Sequence, residues 1–274
     1  MPDPSTIKTA IEYAKIAWDN KKHVAALYKR IYRWWNGPNR ILVVGAGGTG
    51  KTTLGLILSG AFDWMKIDPS EYKESLNIEV VTSKHFEAYI APGQKKHRQS
   101  TWRDIEQKLE AGYFRGIIFV SSYGYHSFSV ASIKQIHPGR SRETALDELV
   151  RKGRAEEVEL VKRLAPFIRA CPKKMWSLSV VTKQDLWYPD RVEAERNYRD
   201  GEYADEIETI VAAKGDQNFR HDVLFCALLI CNWMSKAKET LRKCTEGYDH
   251  KQQIESVRRL FEVVDAMREW EEAK

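Results

Sequence analysis

The stretch GAGGTGKTT, residues 45–53, has the residue types and spacing best suited to chemistry. Gly45, Gly50, Lys51 and Thr52 meet the pattern G-x-x-x-x-G-K-(S/T) of a phosphate-binding loop. Glycines let consecutive backbone N–H groups curl around a phosphate without side-chain clash. The lysine can bridge the β and γ phosphates, and the threonine hydroxyl can bind Mg²⁺. The stretch therefore predicts a nucleotide site in which magnesium is held partly through the nucleotide.

The surroundings of this loop agree with the pattern. The apolar run RILVV at 40–44 precedes it and predicts a buried strand, and a helix is predicted from about Lys51 to Trp64. The N-terminus of that helix would add the positive end of its dipole to the phosphate site. Thr52 is the predicted metal ligand. The predicted phosphate-binding residues are Gly45, Ala46, Gly47, Gly48, Thr49, Gly50, Lys51, Thr52 and Thr53.

The hexapeptide VVTKQD at 180–185 bears on which base is bound. It ends a predicted buried strand, and ligands of open α/β sheets lie at that edge. A carboxylate at Asp185 can accept two hydrogen bonds from the ring N–H and the amino group of guanine, a pair that adenine does not offer. The stem of Lys183 can lie along the base plane. Together with the glycine loop, the hexapeptide therefore favours guanine over adenine.

The glycine loop followed by TKQD resembles the P-loop and the (N/T)-K-x-D guanine motif of the Ras-like and translation-factor GTPases. The resemblance covers most of the chain from about Arg40 onward. It implies that Asp185 reads guanine, that Lys183 stacks on it and that Thr182 braces the loop. It also implies GTP or GDP as the ligand, Mg²⁺ as the cofactor, and an effector or regulator protein as a partner.

Two further stretches extend the resemblance. IAPGQ at 90–94 is similar to the family's D-x-x-G-Q sequence at the start of switch II. Gly93 would present its N–H to the γ-phosphate. Gln94 would orient the attacking water, and with Lys51 it makes up the predicted catalytic residues.

FCALL at 225–229 resembles the family's S-A-K loop. Cys226 and Ala227 would supply the backbone contacts to the guanine oxygen. Leu228 stands where the family has a lysine, and it completes the predicted nucleotide-binding residues.

One departure from the family concerns the metal. Ile90 replaces the switch II aspartate, which normally holds the hydration shell of Mg²⁺, and the segment 61–77 contains no threonine for switch I. The metal would then depend on Thr52, the phosphates and water. Because the metal neutralises charge that develops in phosphoryl transfer, slow GTP hydrolysis is expected.

The apolar runs alternate with helical patterns from residue 40 onward, which predicts an α/β fold. The resemblance implies a three-layer P-loop NTPase G domain with a mostly parallel six-stranded sheet and one antiparallel strand. NIEVVTS and FEAYIAPG predict an antiparallel hairpin, and the longest apolar run, Val223–Ile230, predicts a buried strand. The predicted domains are an N-terminal helical arm at 1–36 and a G domain at 37–274 with an insertion around 124–175.

Charge and composition narrow the possible partners and location of the protein. The chain has 274 residues and a net charge of +6, and residues 5–35 hold seven basic and two acidic residues, hence +5 of it. The near-neutral remainder argues against a nucleic-acid partner. The absence of a signal peptide, of a membrane-spanning run and of metal-type cysteine spacing predicts a cytoplasmic protein with free thiols. The basic amphipathic arm would pack on the domain, dock a partner helix or bind an anionic membrane surface as a peripheral protein, and these three interpretations stay open.

Three functions follow in order. The first is a GTP-dependent switch with slow hydrolysis. The second is a nucleotide-bound interaction module that does not hydrolyse, for which Ile90 is the reason. The third is an ATP-using P-loop enzyme, which would need another carboxylate, such as Glu87, in place of the missing aspartate.

Overall fold

The structure, a computed structural model, describes residues 39–60, 77–82, 86–93, 98–126, 139, 141–235, 237–244 and 247–272. The predicted arm at 1–36, the switch I segment up to residue 76, Gln94 and residues 127–138 of the insertion lie outside these residues. The domain boundaries therefore stay predictions.

The described strands and helices follow the predicted alternation. The strands are β1 (Asn39–Gly45), β2 (Glu79–Thr82), β3 (Phe86–Ile90), β4 (Gly116–Ser121), β5 (Met175–Val181), β6 (Phe219–Phe225), β7 (Trp233–Met234) and β8 (Thr240–Arg242). The helices are α1 (Lys51–Leu58), α2 (Arg98–Glu110), α3 (Arg142–Ala170), α4 (Gln184–Trp187), α5 (Arg191–Arg199), α6 (Glu202–Lys214) and α7 (His250–Glu272), with a 3-10 turn at Tyr188–Asp190.

Six strands form one sheet in the order β2-β3-β1-β4-β5-β6. All neighbours are parallel except β2 and β3, which pair antiparallel as the hairpin pattern predicts. Every residue of β4 and β5 is buried, as expected for strands covered on both faces. The predicted α/β fold with a mostly parallel six-stranded sheet is confirmed.

Alternate residues of the strands divide the core into two layers. Leu42 and Val44 of β1 belong to the layer that includes Trp102 of α2 and Leu164 of α3. Ile41 and Val43 of the same strand belong to the other layer and pack with apolar residues of α1 and α7. Helices thus lie on both faces of the sheet, and the loops at the carboxyl ends of the strands are left to form a site.

Two predicted element ends are wrong. The helix after the glycine loop ends at Leu58 rather than Trp64, because Gly60 turns the chain with a φ of 74° and bonds back to the carbonyl of Ile57 at 3.0 Å. The strand predicted through Ile230 ends at Phe225, where the next residue bonds across to the loop after β5. Apolar composition cannot distinguish a strand from a buried loop of this kind.

Candidate nucleotide-binding site

The glycine loop joins β1 to α1 and lies against the neighbouring strand. A Cβ on Gly45 would be 2.3 Å from the Val120 carbonyl oxygen of β4 and 2.8 Å from Thr49 Oγ1, so only glycine fits there. Gly50 precedes the helix with a φ of 96°, a backbone conformation that favours glycine. These two positions explain why the loop needs glycine at both ends of its pattern.

Hydrogen bonds within the loop hold it curled. Thr49 Oγ1 donates to the Ala46 carbonyl at 3.1 Å. The buried ammonium of Lys51 donates to the carbonyls of Gly45 at 3.0 Å and Ala46 at 2.8 Å. Thr52 is exposed at the first turn of α1. The lysine is therefore drawn into the loop, and Thr52 lies beside it at the surface.

The segment after β3 runs directly along the glycine loop. The amide of Ala91 donates to the Val43 carbonyl of β1 at 2.9 Å. A Cβ on Gly93 would be 2.6 Å from Lys51 Nζ and 2.7 Å from the amide nitrogen of Gly47. The backbone of Gly93 thus lies where a phosphate held by the loop would be close to it, while Gln94 lies just beyond the described residues.

Ile90 fills an apolar contact with α1. Its side chain is 3% exposed, and its Cδ1 is 2.4 Å from the place a Cβ of Gly55 would take. Glu87 is not a substitute carboxylate, because it lies near the opposite end of β3 and accepts from Arg40 Nε at 3.2 Å and from the Tyr89 hydroxyl at 3.1 Å. In the described residues no three His, Cys, Asp or Glu side chains form a metal site.

Thr182 connects the glycine loop to the loop after β5. Its buried hydroxyl lies 2.6 Å from the Thr49 carbonyl and 2.9 Å from the Ser121 carbonyl, and its amide also donates to Ser121. The glycine loop, the end of β4 and the loop after β5 therefore meet at the Thr182 side chain.

Asp185 follows in α4 and is 1% exposed. Its Oδ2 accepts from the Cys231 amide at 3.2 Å, whereas its Oδ1 has no hydrogen-bond partner among the described residues. Burial raises the pKa of Asp185 to about 7. A buried carboxylate oxygen without a donor is destabilising, so an N–H donor from a ligand would stabilise it.

Lys183 has a φ of 57°, and its ammonium donates to the carbonyls of Tyr125 at 2.5 Å and His126 at 2.6 Å. Desolvation lowers the pKa of this lysine to about 8. The stem of Lys183 is thereby fixed by the turn after β4, residues 122–126.

Glu157 of α3 organises that turn and was not predicted as a functional residue. Its carboxylate is 2% exposed and accepts from the amides of Ser122 at 2.8 Å and Gly124 at 3.2 Å, and it lies 2.9 Å from His126 Nε2. The Tyr198 hydroxyl donates to its other oxygen. No sequence signal separates Glu157 from the many solvated glutamates of the same helix.

The loop after β6 completes the edge. Cys226 bonds to the guanine-type motif and to the residue before it, since its carbonyl accepts from the Gln184 amide and its own amide donates to the Val181 carbonyl. Leu228 is buried, and its Cδ1 is 3.6 Å from the place a Cβ of Gly50 would take. The loop therefore packs between the glycine loop and TKQD.

Ala227 and Tyr248 form a contact that no motif predicted. The Ala227 amide donates to the Tyr248 hydroxyl at 3.2 Å, and that hydroxyl donates to Gln184 Oε1 at 3.1 Å. Every residue of the predicted nucleotide site lies at or just after the carboxyl end of β1, β3, β5 or β6. Those residues are Gly45, Ala46, Gly47, Gly48, Thr49, Gly50, Lys51, Thr52, Thr53, Gly93, Thr182, Lys183, Asp185, Cys226, Ala227 and Leu228.

The strand order and the glycine loop between β1 and α1 define an α/β fold of the P-loop NTPase type. No protein-family model matches the sequence, and neither does any curated protein. Solved structures of similar fold include an ADP-ribosylation factor-like small COPII coat GTPase from Encephalitozoon cuniculi in complex with GDP. Its TM-score is 0.46 and its identity 14%, over 98% of this chain and 95% of that one.

Two other matching structures also hold a guanine nucleotide. The signal recognition particle receptor SRb with GDP from Chaetomium thermophilum has a TM-score of 0.42 and 12% identity, over 85% of this chain and 100% of that one. The GTP-bound IFT22/74/81 structure from T. brucei has a TM-score of 0.37 and 16% identity, over 84% and 98%.

No helix within the described part of the chain is long and apolar enough to cross a membrane.

Proposed function

We propose that the chain binds guanine nucleotides and acts as a GTP-dependent switch. The observation that supports this most is Asp185, a buried carboxylate with one oxygen lacking a donor, next to a phosphate-type glycine loop. Guanine offers an N–H and an amino group side by side, and a carboxylate can accept from both. Adenine would place a ring nitrogen lone pair against the same oxygen, which is repulsive.

The remaining residues divide between phosphate, metal and base. The glycine loop and Lys51 would hold the phosphates, and Thr52 would ligate Mg²⁺ together with phosphate oxygens and water. The metal would supply charge neutralisation for phosphoryl transfer. Lys183 would stack on the base, and Cys226 to Leu228 would border it.

Switching would act through Gly93. Its backbone lies so close to Lys51 that a side chain there would collide with the loop, so an added γ-phosphate would contact or displace it. Contacts of this kind order a segment in the triphosphate state and release it afterwards. An effector or regulator protein is the expected partner of the segment that moves.

The test is equilibrium binding of GDP, GTP, ADP and xanthosine diphosphate to the purified chain in Mg²⁺. We expect GDP to bind at least about a hundredfold more tightly than ADP, because a site built around paired hydrogen bonds rejects a ligand that lacks them. Asp185→Asn should weaken GDP and favour xanthosine diphosphate, whose carbonyl accepts from the new amide.

The control is Asp190→Asn, five residues along. This carboxylate is half-exposed and lies 3.4 Å from Arg242. It should leave the selectivity unchanged. Equal affinity for GDP and ADP in the wild-type chain would refute guanine recognition.

Ile90 favours a second candidate, a nucleotide-bound module that does not hydrolyse. An apolar residue packed on α1 cannot hold the metal's water shell. Single-turnover phosphate release from GTP separates the two functions. Slow release that disappears in Lys51→Ala supports the switch, and no release in either chain supports the module. The ATP-using alternative is disfavoured because Glu87 is paired with Arg40 and Tyr89.

A further inference from the structure

Tyr248 joins the two loops that would read the base. Its hydroxyl has a single proton, which it donates to Gln184 Oε1 at 3.1 Å, and its lone pair accepts from the Ala227 amide at 3.2 Å. Gln184 is the residue directly before Asp185. The ring is 7% exposed and packs edge-on against Tyr188, with centroids 5.4 Å apart. The hydroxyl therefore has a defined position between both base loops.

The Ala227 amide has one hydrogen, and the base site needs it. The resemblance to the S-A-K loop implies that this amide contacts the guanine oxygen, yet its hydrogen points at Tyr248. A backbone N–H makes one good hydrogen bond at a time. A bound purine carbonyl and the Tyr248 hydroxyl therefore compete for the same donor.

We infer that Tyr248 is an internal competitor of the purine carbonyl and so sets the affinity of the base site. Its hydroxyl takes the Ala227 amide, and guanine binding displaces it. The inference rests on the proposed guanine-binding function and adds a residue that regulates it.

The contact also connects the base site to the last helix. Tyr248 lies two residues before α7, and Gln253 of that helix donates to the Leu228 carbonyl at 2.8 Å, next to Ala227. α7 packs its apolar face on the layer that contains Leu54 and Ile57 of α1. Displacement of Tyr248 by a nucleotide would therefore change the contacts at the N-terminus of α7.

The experiment is GDP binding to Tyr248→Phe by calorimetry, alongside 6-thio-GDP. The change removes the competing hydroxyl and keeps the ring. One net hydrogen bond corresponds to about threefold to tenfold in affinity, so GDP should bind tighter by that factor. 6-thio-GDP keeps both donors for Asp185 but offers a sulfur, which is a weak acceptor, so its gain should be clearly smaller.

Tyr188→Phe is the matched control, because it makes the same change on the ring that packs against Tyr248. It should leave both affinities unchanged. GDP binding that is unchanged or weaker in Tyr248→Phe overturns the inference, and so does an equal gain for 6-thio-GDP, since that would show relief of crowding rather than of competition.

Hydrogen exchange separates this inference from the proposed function. In the nucleotide-free chain the Ala227 amide should exchange faster in Tyr248→Phe than in wild type, and GDP should restore its protection in the variant. A wild-type chain that binds no guanine nucleotide would refute the proposed function itself. Guanine binding with Ala227 exchange insensitive to Tyr248→Phe would refute only the role of Tyr248.

Discussion

The carboxyl group of Asp185 lies almost completely out of water, and this burial raises its pKa to about 7. Guanine would need the ionised form, because only a carboxylate accepts from both donors. Near pH 6 most molecules of the nucleotide-free chain would carry a proton on Asp185, and GDP binding would have to release it. We expect the GDP dissociation constant to rise about tenfold from pH 8 to pH 6, as measured by calorimetry.

The raised pKa of Asp185 also makes the free energy of unfolding depend on pH. The folded chain binds the Asp185 proton more tightly than the unfolded chain, so this group's contribution to the free energy of unfolding falls as pH rises from about 4 to about 7. The affinity for GDP, in contrast, rises with pH over that range. Asp185→Asn should flatten the pH dependence of GDP binding apart from the titration of the phosphates. A wild-type slope equal to that of the variant would contradict the assignment.

Ile90 gives a second prediction at this scale. Its side chain is fully packed against α1 beside Gly55, so Ile90→Ala should lower the free energy of unfolding by about 3 kcal/mol in urea titrations. Val80→Ala on the neighbouring strand is the control, because Val80 is 50% exposed and should change stability by less than about 1 kcal/mol. Similar losses in both variants would show that Ile90 is not a core contact.

Motif spacing predicts that Thr182 and Asp185 share a site with the glycine loop, because all three follow the carboxyl ends of parallel strands. The same reasoning identifies Ile90 as a departure from the family but cannot show what replaces the aspartate. The structure shows an apolar contact between Ile90 and Gly55 of α1, which no spacing rule encodes. Tyr248 is missed for a similar reason, since a lone tyrosine in a loop has no pattern.

At the scale of elements, the turn after β4 depends on one carboxylate of α3. Glu157→Ala would leave the Ser122 and Gly124 amides and the Tyr198 hydroxyl without their acceptor. Each buried donor left without its acceptor costs about 1–3 kcal/mol, so a total loss of at least about 3 kcal/mol is expected in urea titrations. Amide exchange in the turn should rise as well.

Glu156→Ala is the control for that change, since it lies next to Glu157 on the same helix. Its carboxylate is partly exposed and lies 3.7 Å from His126 Nδ1. A partly exposed ion pair contributes less than about 1 kcal/mol, so the loss should be small. A larger loss of stability in Glu156→Ala than in Glu157→Ala would show that Glu157 does not stabilise the turn.

The order of the elements follows from the sequence, whereas several of their ends do not. Long apolar strands and amphipathic helices are specified by local periodicity, and so the parallel sheet and its antiparallel hairpin are predicted. The end of β6 at Phe225 depends instead on hydrogen bonds between Cys226 and the loop after β5. The short helix α4 likewise depends on a side-chain bond, from Trp187 Nε1 to the Thr182 carbonyl at 2.8 Å, which periodicity does not encode.

At the scale of the whole molecule, the candidate site is assembled from four distant segments, at 45–53, 93, 182–185 and 226–228. Only the folded sheet brings these segments to one edge, so the unfolded chain has no site. A nucleotide that binds the folded chain alone must stabilise it by mass action. Stability measured with and without nucleotide therefore reports on the assembled site rather than on any single loop.

We expect GDP with Mg²⁺ at about a hundred times its dissociation constant to stabilise the chain by about 2.7 kcal/mol. For a domain of this size that corresponds to a rise in Tm of about 5–10 °C, measured by differential scanning calorimetry. ADP at the same concentration should give a rise of less than about 1 °C, because it uses the glycine loop but leaves Asp185 without a donor. An ADP shift as large as the GDP shift would mean that the glycine loop alone determines binding and that the loops after β5 and β6 do not read the base.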